Sequence, residues 1–201
     1  MRRILIALVA ASTLALTTPA VHAAPTAETP RLQHLHPKAE KYRVVHQGEP
    51  QDAGAARIFI EAPVEVTRSV VTDYRHYARM IPKFEQARIV GRKGSKTDVY
   101  LRVPILKGAA KIWAVLRFDP PRRVAGGGYV VTAKMLKGNV KRFEAVYRIV
   151  KINAQSSQLH LEMLIEPDFP APNFVVADQV AGACDNAVRH LRHTAELRQG
   201  G

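Results

Sequence analysis

The chain has 201 residues, a net charge of +13 and a single cysteine, Cys184. One cysteine excludes an internal disulfide, so an apolar core must stabilise the fold, and this length provides one domain with short extensions. No apolar run is long enough to cross a bilayer as a helix. The excess of lysine and arginine is compatible with anionic partners such as lipid headgroups or acidic polymers, and equally with a basic surface that only keeps the protein soluble.

The N-terminal residues have the composition of a secretory signal peptide, which we predict at residues 1–23. Arg2 and Arg3 supply the charged start, and residues 4–16 form the apolar segment. Residues 21–23 (VHA) provide small side chains at the cleavage positions. We therefore expect an exported protein, either periplasmic or secreted.

Residues 24–41, rich in proline, alanine and threonine, are predicted to form a flexible leader. We predict one domain at residues 42–201. Loss of the signal peptide, with its two arginines, lowers the net charge from +13 to +11. Nucleic acid would suit that charge but not an exported location, so we expect no nucleic-acid partner.

The first part of the domain alternates strands and short helices. A strand is predicted at residues 42–46, a loop at 47–54 and a second strand at 57–61. Pro63 suits the first turn of a helix that extends to about Asp73. A second short, aromatic-rich helical stretch then ends at Pro82.

The middle of the chain alternates apolar and polar residues with a period of two, which is typical of half-buried strands. Turns of a few residues separate the strands, so neighbouring strands should form antiparallel hairpins. The predicted strands are residues 87–91, 97–105, 110–119, 129–135, 143–149 and 159–165.

The chain ends in a long helix, predicted at residues 173–198. Asn173 follows two prolines and is suited to cap the helix with its side-chain oxygen. Apolar residues recur at steps of three and four, and many are small. Such a stripe allows two packings: the helix lies close to its partner, or a space remains beneath it. The small residues are Ala177, Ala181, Gly182, Ala183 and Ala187.

This order of elements predicts an α+β fold in which a curved antiparallel sheet of six to seven strands grips the long C-terminal helix. Two short helices follow the first core strand. A half-exposed sheet needs its apolar face covered, and the last helix is the only predicted element large enough. A strongly twisted sheet curls around such a helix and encloses volume.

Several stretches resemble the START-like helix-grip superfamily (SRPBCC), in particular its polyketide cyclase/dehydrase and coenzyme Q-binding branch. The resemblance covers about residues 57–198. It rests on residues 60–66 (IEAPVEV), 72–77 (TDYRHY) with Ile81 and Pro82, 137–144 (KGNVKRFE) leading to 147–149 (YRI), and the proline-rich loop 167–172. The resemblance implies a hydrophobic cavity between the sheet and the final helix that binds a lipid, sterol, quinone or polyketide. Most of the superfamily is cytoplasmic or organellar, so an exported member favours apolar cargo of the cell envelope.

The candidate cavity-lining residues are apolar positions on one sheet face and on the final helix. The resemblance places the mouth at residues 74–82 and 168–173, where the basic residues Arg75, Arg79 and Lys83 are expected to make transient contact with an anionic membrane surface. The predicted lining residues are Tyr77, Val99, Leu101, Ile112, Ala114, Leu116, Val131, Ala133, Met135, Phe143, Ala145, Tyr147, Leu161, Met163, Phe174, Val180 and Cys184.

Two other functions stay open at this point. A cyclase or aromatase acting on a hydrophobic substrate would need polar groups in the cavity, and Tyr129 and Tyr147 are the exceptions to an apolar face. An interaction protein would use its basic surface and have a filled core. The sequence contains no Cys-x-x-Cys, His-Glu-x-x-His, Gly-x-Ser-x-Gly or phosphate-binding glycine loop, so we expect no metal or cofactor and assign no catalytic residue.

Overall fold

The computed structural model of the protein describes residues 38–105 and 110–200. The predicted signal peptide and most of the predicted leader lie outside these residues. The described elements in chain order are β1 (Glu40–Val44), β2 (Ala53–Ile60), α1 (Val64–Val71), a 3₁₀ turn (Tyr74–His76), α2 (Tyr77–Met80), β3 (Gln86–Lys93), β4 (Lys96–Ile105), β5 (Ala110–Phe118), β6 (Arg122–Arg123), a 3₁₀ turn (Ala125–Gly127), β7 (Tyr129–Gly138), β8 (Arg142–Lys151), β9 (Ser157–Glu166) and α3 (Asn173–Gly200).

The strands form one antiparallel sheet in the order β1-β2-β9-β8-β7-β5-β4-β3, with β6 paired to β7. Irregularities between Ile89 and Gly91 and between Val115 and Leu116 increase its twist and curvature. The predicted α+β helix-grip class is confirmed. The described residues contain nine strands rather than six to seven: β1 pairs with β2 at the edge of the sheet, and the two residues of β6 pair with β7.

The strand pairing places the predicted apolar positions on one face of the sheet. Val131 lies opposite Tyr147, which lies opposite Leu161. The next row contains Ala133, Ala145 and Met163. α3 packs on this face, as predicted, and the two short helices pack on it as well.

The packing of α3 on β2 depends on a glycine that sequence reasoning assigned to a loop. Gly54 lies within β2, and a Cβ atom at that position would be 2.2 Å from the backbone nitrogen of Ala181. Glycine in a strand interior often marks such a close approach between backbones. The Cys184 Sγ donates a hydrogen bond of 3.3 Å to the Gly54 carbonyl at the same contact.

The start of α3 differs from the predicted cap. The Pro172 carbonyl accepts from the backbone nitrogens of Val175 and Val176. Asn173 instead directs its Oδ1 to the β1–β2 loop, where it accepts from the Asp52 nitrogen at 2.8 Å and from Gln51 Nε2 at 2.6 Å. The Asn173 side chain therefore fixes the loop against α3 instead of capping the helix. Although α3 has 28 residues, none of the described helices has the length and hydropathy that crossing a bilayer requires.

Candidate ligand cavity

A cavity of about 700 Å³ lies between the first half of α3 and the sheet. It is bordered by the adjoining ends of β4 and β5, by β8 and β9, and by the loops before β3 and before α3. Most of the side chains around it are apolar. They include Phe84, Leu101, Val103, Pro104, Ile112, Phe143, Met163, Ile165, Phe169, Val175, Val176, Val180 and Ala183.

The small residues of α3 explain both a close contact and a space. Ala177 and Ala181 are buried against β2 at Gly54. Gly182 and Ala183 face another direction and border the cavity, and a Cβ atom added at Gly182 would meet nothing within 4 Å. One side of α3 therefore packs directly against β2, whereas the side that carries Gly182 and Ala183 leaves a space above the sheet.

The part of the sheet face next to the cavity, which we call the closed end, is filled by aromatic rings. Tyr74 lies with its ring centroid 4.3 Å from that of Phe118 and 5.6 Å from that of Tyr77. The Tyr77 hydroxyl donates to the Val71 carbonyl and also interacts with the hydroxyl of Tyr147. Burial raises the pKa of Tyr77 and Tyr147 well above the ordinary value, so both phenols remain protonated. A smaller pocket of about 190 Å³ adjoins this end.

The predicted lining residues occupy three kinds of position. Leu101, Ile112, Phe143, Met163 and Val180 border the cavity. Met135 is half-buried against the core, whereas Phe174 is 61% exposed and does not border the cavity. Contact of any of them with a ligand stays a prediction. The remaining predicted residues are buried in the core: Tyr77, Val99, Ala114, Leu116, Val131, Ala133, Ala145, Tyr147, Leu161 and Cys184.

Sequence reasoning also missed residues that border the cavity. Val176 and Ala183 are among the recurring apolar residues of α3, but neither was predicted to line the cavity. Phe169 lies in the proline-rich loop that was assigned to the mouth. Asn186 had no sequence signal, because its position on a helix that alternates polar and apolar sides suggested exposure to solvent.

Charged residues lie where the cavity meets the surface. We call this region the mouth and define it by Lys41, Lys83, Phe169, Val175 and Asp178, all of which border the cavity and are exposed. Lys41 pairs with Asp178 at 3.6 Å, whereas Lys83 forms no ion pair within the described residues. Phe169 is 48% exposed and Val175 39% exposed, so the mouth combines apolar and basic side chains.

Glu85 is a further acid at the cavity boundary. It forms ion pairs with Lys111 and Arg102. The hydrogen bond from Lys111 is the main cause that lowers the pKa of Glu85, so this carboxyl is ionised at neutral pH. The described residues contain no cluster of three or more histidine, cysteine, aspartate or glutamate side chains placed to hold a metal ion.

A curved sheet wrapped around one long helix, with an apolar cavity between them, defines a helix-grip ligand-binding domain. The family model described as "Polyketide cyclase / dehydrase and lipid transport" matches residues 51–196. The chain therefore belongs to that family. No curated protein matches the chain significantly.

Solved structures share the fold at low sequence identity. A STAR-related lipid transfer protein from Xanthomonas axonopodis has 14% identity and a TM-score of 0.66, with 78% of this chain and 93% of that one covered. Human StAR-related lipid transfer protein 5 has 8% identity and a TM-score of 0.67, with 83% and 86% covered. The Zhui aromatase/cyclase from a Streptomyces species has 17% identity and a TM-score of 0.59, with 73% and 94% covered. Both lipid transfer proteins and aromatase/cyclases therefore share this architecture.

Proposed function

We propose that this protein is an exported carrier that holds one hydrophobic small molecule in the cavity between the sheet and α3. The cargo class is a lipid, sterol, quinone or polyketide-like molecule. The observation that carries the proposal is the cavity of about 700 Å³ with its mostly apolar boundary. Cavities of this size and character are typical of small-molecule sites.

The free energy of binding would come mainly from apolar burial. A ligand that loses roughly 300 Å² of apolar surface to this cavity gains about 7.5 kcal/mol at 25 cal/mol per Å² before the costs of immobilisation. Leu101, Phe143 and Met163 would supply part of the complementary surface. This driving force needs no particular polar group, which suits storage or transfer of an apolar molecule.

The charged groups around the cavity support carriage over proton-transfer catalysis. A general acid or base works best with a pKa near neutrality. Glu85 is held ionised by its ion pairs, and Lys41 and Asp178 pair with each other at the surface. A cyclase would need a polar group such as the Tyr147 phenol in the cavity, but Tyr147 is buried and does not border the cavity.

The mouth suggests how cargo enters. Exposed Phe169 and Val175 border the same cavity as Lys83, a combination suited to transient contact with an anionic membrane surface. Each basic residue near such a surface contributes about 1 kcal/mol. Arg75 and Arg79, also expected at the mouth, are exposed but do not border the cavity.

Membrane contact can be tested by sedimentation with vesicles. Lys83→Glu together with Phe169→Ser should reduce binding to vesicles that contain anionic lipid, and wild-type protein should bind neutral vesicles weakly. Lys151→Glu is a control, because Lys151 is an exposed residue at the end of β8 and does not border the cavity. Equal loss in both variants would contradict a role for the mouth.

The carrier function itself is tested by mass spectrometry of organic extracts from protein purified from its natural compartment. We expect a stoichiometric hydrophobic molecule, and a mature N terminus at Ala24 if the signal peptide is used. An empty protein that also binds no lipid, sterol or quinone from a panel would contradict the carrier proposal. Turnover of a polyketide chain that is lost in Tyr147→Phe would favour a cyclase instead.

A further inference from the structure

One residue at the cavity boundary carries a buried amide oxygen. Asn186 belongs to α3, and its Oδ1 is buried without a hydrogen bond among the described residues. Buried amide oxygens in folded proteins are nearly always paired, because an unpaired one has lost its water without compensation. Because this oxygen is not accessible from the cavity in the orientation shown, the amide must rotate about its terminal bond before the oxygen can pair with a group bound there.

The position of Asn186 separates it from the other polar groups. The α3 residues around the cavity extend from Val175 at the mouth to Asn186, a rise of about 16 Å along the helix. Asp178 and Gln179 lie near the mouth and are exposed, whereas Asn186 is half-buried. Val180 and Ala183 lie between these groups on the same boundary. The cavity therefore has a largely apolar middle and a neutral amide at one end.

We propose that the cargo carries a neutral hydrogen-bonding group, a hydroxyl or a carbonyl, that pairs with the Asn186 amide while an apolar body fills the rest of the cavity. This inference rests on the proposed carrier function and narrows its cargo to amphipathic molecules with a neutral polar end. An amide has both an acceptor and donors, and rotation about its terminal bond exchanges them, so either group can be bound.

A charged group fits this end poorly. Within the described part of the chain, four charged residues border the cavity, and all of them are exposed, whereas Asn186 is half-buried: Lys41, Lys83, Glu85 and Asp178. On α3 itself the nearest of them along the helix, Asp178, lies about two turns before Asn186. An ion in an apolar site without a counter-ion is strongly disfavoured. A neutral hydroxyl or carbonyl pairs with the amide and needs no counter-ion.

The test uses mature protein and displacement of N-phenyl-1-naphthylamine, a neutral fluorescent probe, by three molecules of equal heavy-atom number. 1-Dodecanol carries a hydroxyl, 2-dodecanone a carbonyl, and tridecane neither. Asn186→Leu keeps the number of heavy atoms and the branching of the side chain and removes the amide. Comparing each competitor between wild type and variant cancels differences in its solubility.

We expect Asn186→Leu to weaken 1-dodecanol, 2-dodecanone or both by about tenfold and to leave tridecane unchanged or bound more tightly, since a site built for a hydrogen bond discriminates in this way. Gln179→Leu is the matched control, because it removes an exposed amide from the same boundary. It should change each affinity less than twofold. Asn186→Ala provides a second variant if the leucine variant does not fold.

Two results would overturn the inference in distinguishable ways. Equal changes for all three competitors in Asn186→Leu would show that the amide has no role in recognising cargo, while the carrier function stands. Failure of wild-type protein to bind the fluorescent probe or any competitor would remove the carrier function and this inference with it.

Discussion

The two ends of the space beneath α3 share one sheet face but are filled differently. At the closed end, Tyr74, Tyr77 and Phe118 bring aromatic rings together and leave only the smaller pocket of about 190 Å³ within the described residues. At the other end, Phe143 and Met163 face Gly182 and Ala183 across the cavity. The same alternation of apolar and polar residues along the strands therefore supports a packed core in one part of the fold and a cavity in another.

We expect the two ends to contribute to different properties, namely folding stability and ligand binding. Protein interiors are packed about as densely as organic crystals, so the closed end supplies most of the cooperative stability. The cavity end gives up some of that packing in exchange for a binding site. Changes at the closed end should therefore reduce folding stability, whereas changes at the cavity end should mainly alter binding.

The largest effect is expected where α3 touches β2 between these ends. Gly54→Ala places a Cβ atom 2.2 Å from the Ala181 nitrogen and 2.6 Å from the Val180 carbonyl carbon, and both are backbone atoms. The helix must move, so the free energy of unfolding should fall by at least about 3 kcal/mol. Urea denaturation measures this loss.

Gly182→Ala is the control on the helix side. A Cβ atom there meets nothing within 4 Å, and alanine is preferred to glycine in a helix by about 1 kcal/mol. We expect this variant to be as stable as wild type or more stable. Equal destabilisation by both glycine replacements would contradict the close approach at Gly54.

The second prediction compares one large side chain from each end. Leu191 is 1% exposed in the packed part of α3, and Leu191→Ala should lower the free energy of unfolding by about 3 kcal/mol. Ile112 already borders the cavity and is half-buried, so Ile112→Ala should cost about 1 kcal/mol. Similar losses would mean that the two ends are packed alike.

The sequence was sufficient to predict the face of the sheet but not the row along each strand that borders the cavity. Phe143 and Tyr147 are four residues apart on the same face of β8, yet only Phe143 borders the cavity. What covers each row depends on where α1, α2 and α3 pack. Those contacts join residues far apart in sequence and leave no local pattern.

Polar and small residues were harder still to assign. Asn173 has the properties of a helix cap, but a tertiary contact with Gln51 and Asp52 uses its oxygen. Gly54 was assigned to a loop by composition, but it lies in β2. A glycine is needed there because the α3 backbone approaches too closely to leave room for a side chain. The long periodic strands and α3 were predictable because their patterns repeat many times.

The third prediction separates binding from stability with two alanines of α3. Ala183 borders the cavity, so Ala183→Phe should fill part of it and weaken probe binding by about tenfold, with a stability change below about 1 kcal/mol. Ala187 is 1% exposed, so Ala187→Phe should overpack the core and cost about 2 kcal/mol.

His193→Phe is the control for adding an aromatic ring to α3. His193 is exposed and does not border the cavity, so both binding and stability should stay close to wild type. Fluorescence titration and thermal unfolding measure the two properties on the same samples. Unchanged probe binding in Ala183→Phe would mean that the probe occupies another site.

The smallest expected effect concerns the side-chain hydrogen bonds that hold each end of α3 to the rest of the domain. At the closed end, Asp73 accepts hydrogen bonds from Arg198 near the end of α3 and from His76 Nδ1 at 2.7 Å. Burial alone would raise the pKa of Asp73, but these two hydrogen bonds outweigh it and hold the pKa below its ordinary value. At the start of α3, Asn173 makes only neutral hydrogen bonds.

These contacts should respond differently to acid. Because the pKa of Asp73 is lower in the folded state, its stabilising contribution is complete above about pH 4 and is lost as the pH falls through the folded value. Asp73→Asn should cost about 1 kcal/mol at pH 7 and should make the loss of stability below pH 4 less steep. Asn173→Ala should cost a similar amount at pH 7 and leave the acid slope unchanged. Denaturation curves between pH 3 and pH 7 measure both effects. If Asn173→Ala instead altered the dependence of stability on pH below pH 4, the assignment of the charged contact to Asp73 and of the neutral contact to Asn173 would be wrong.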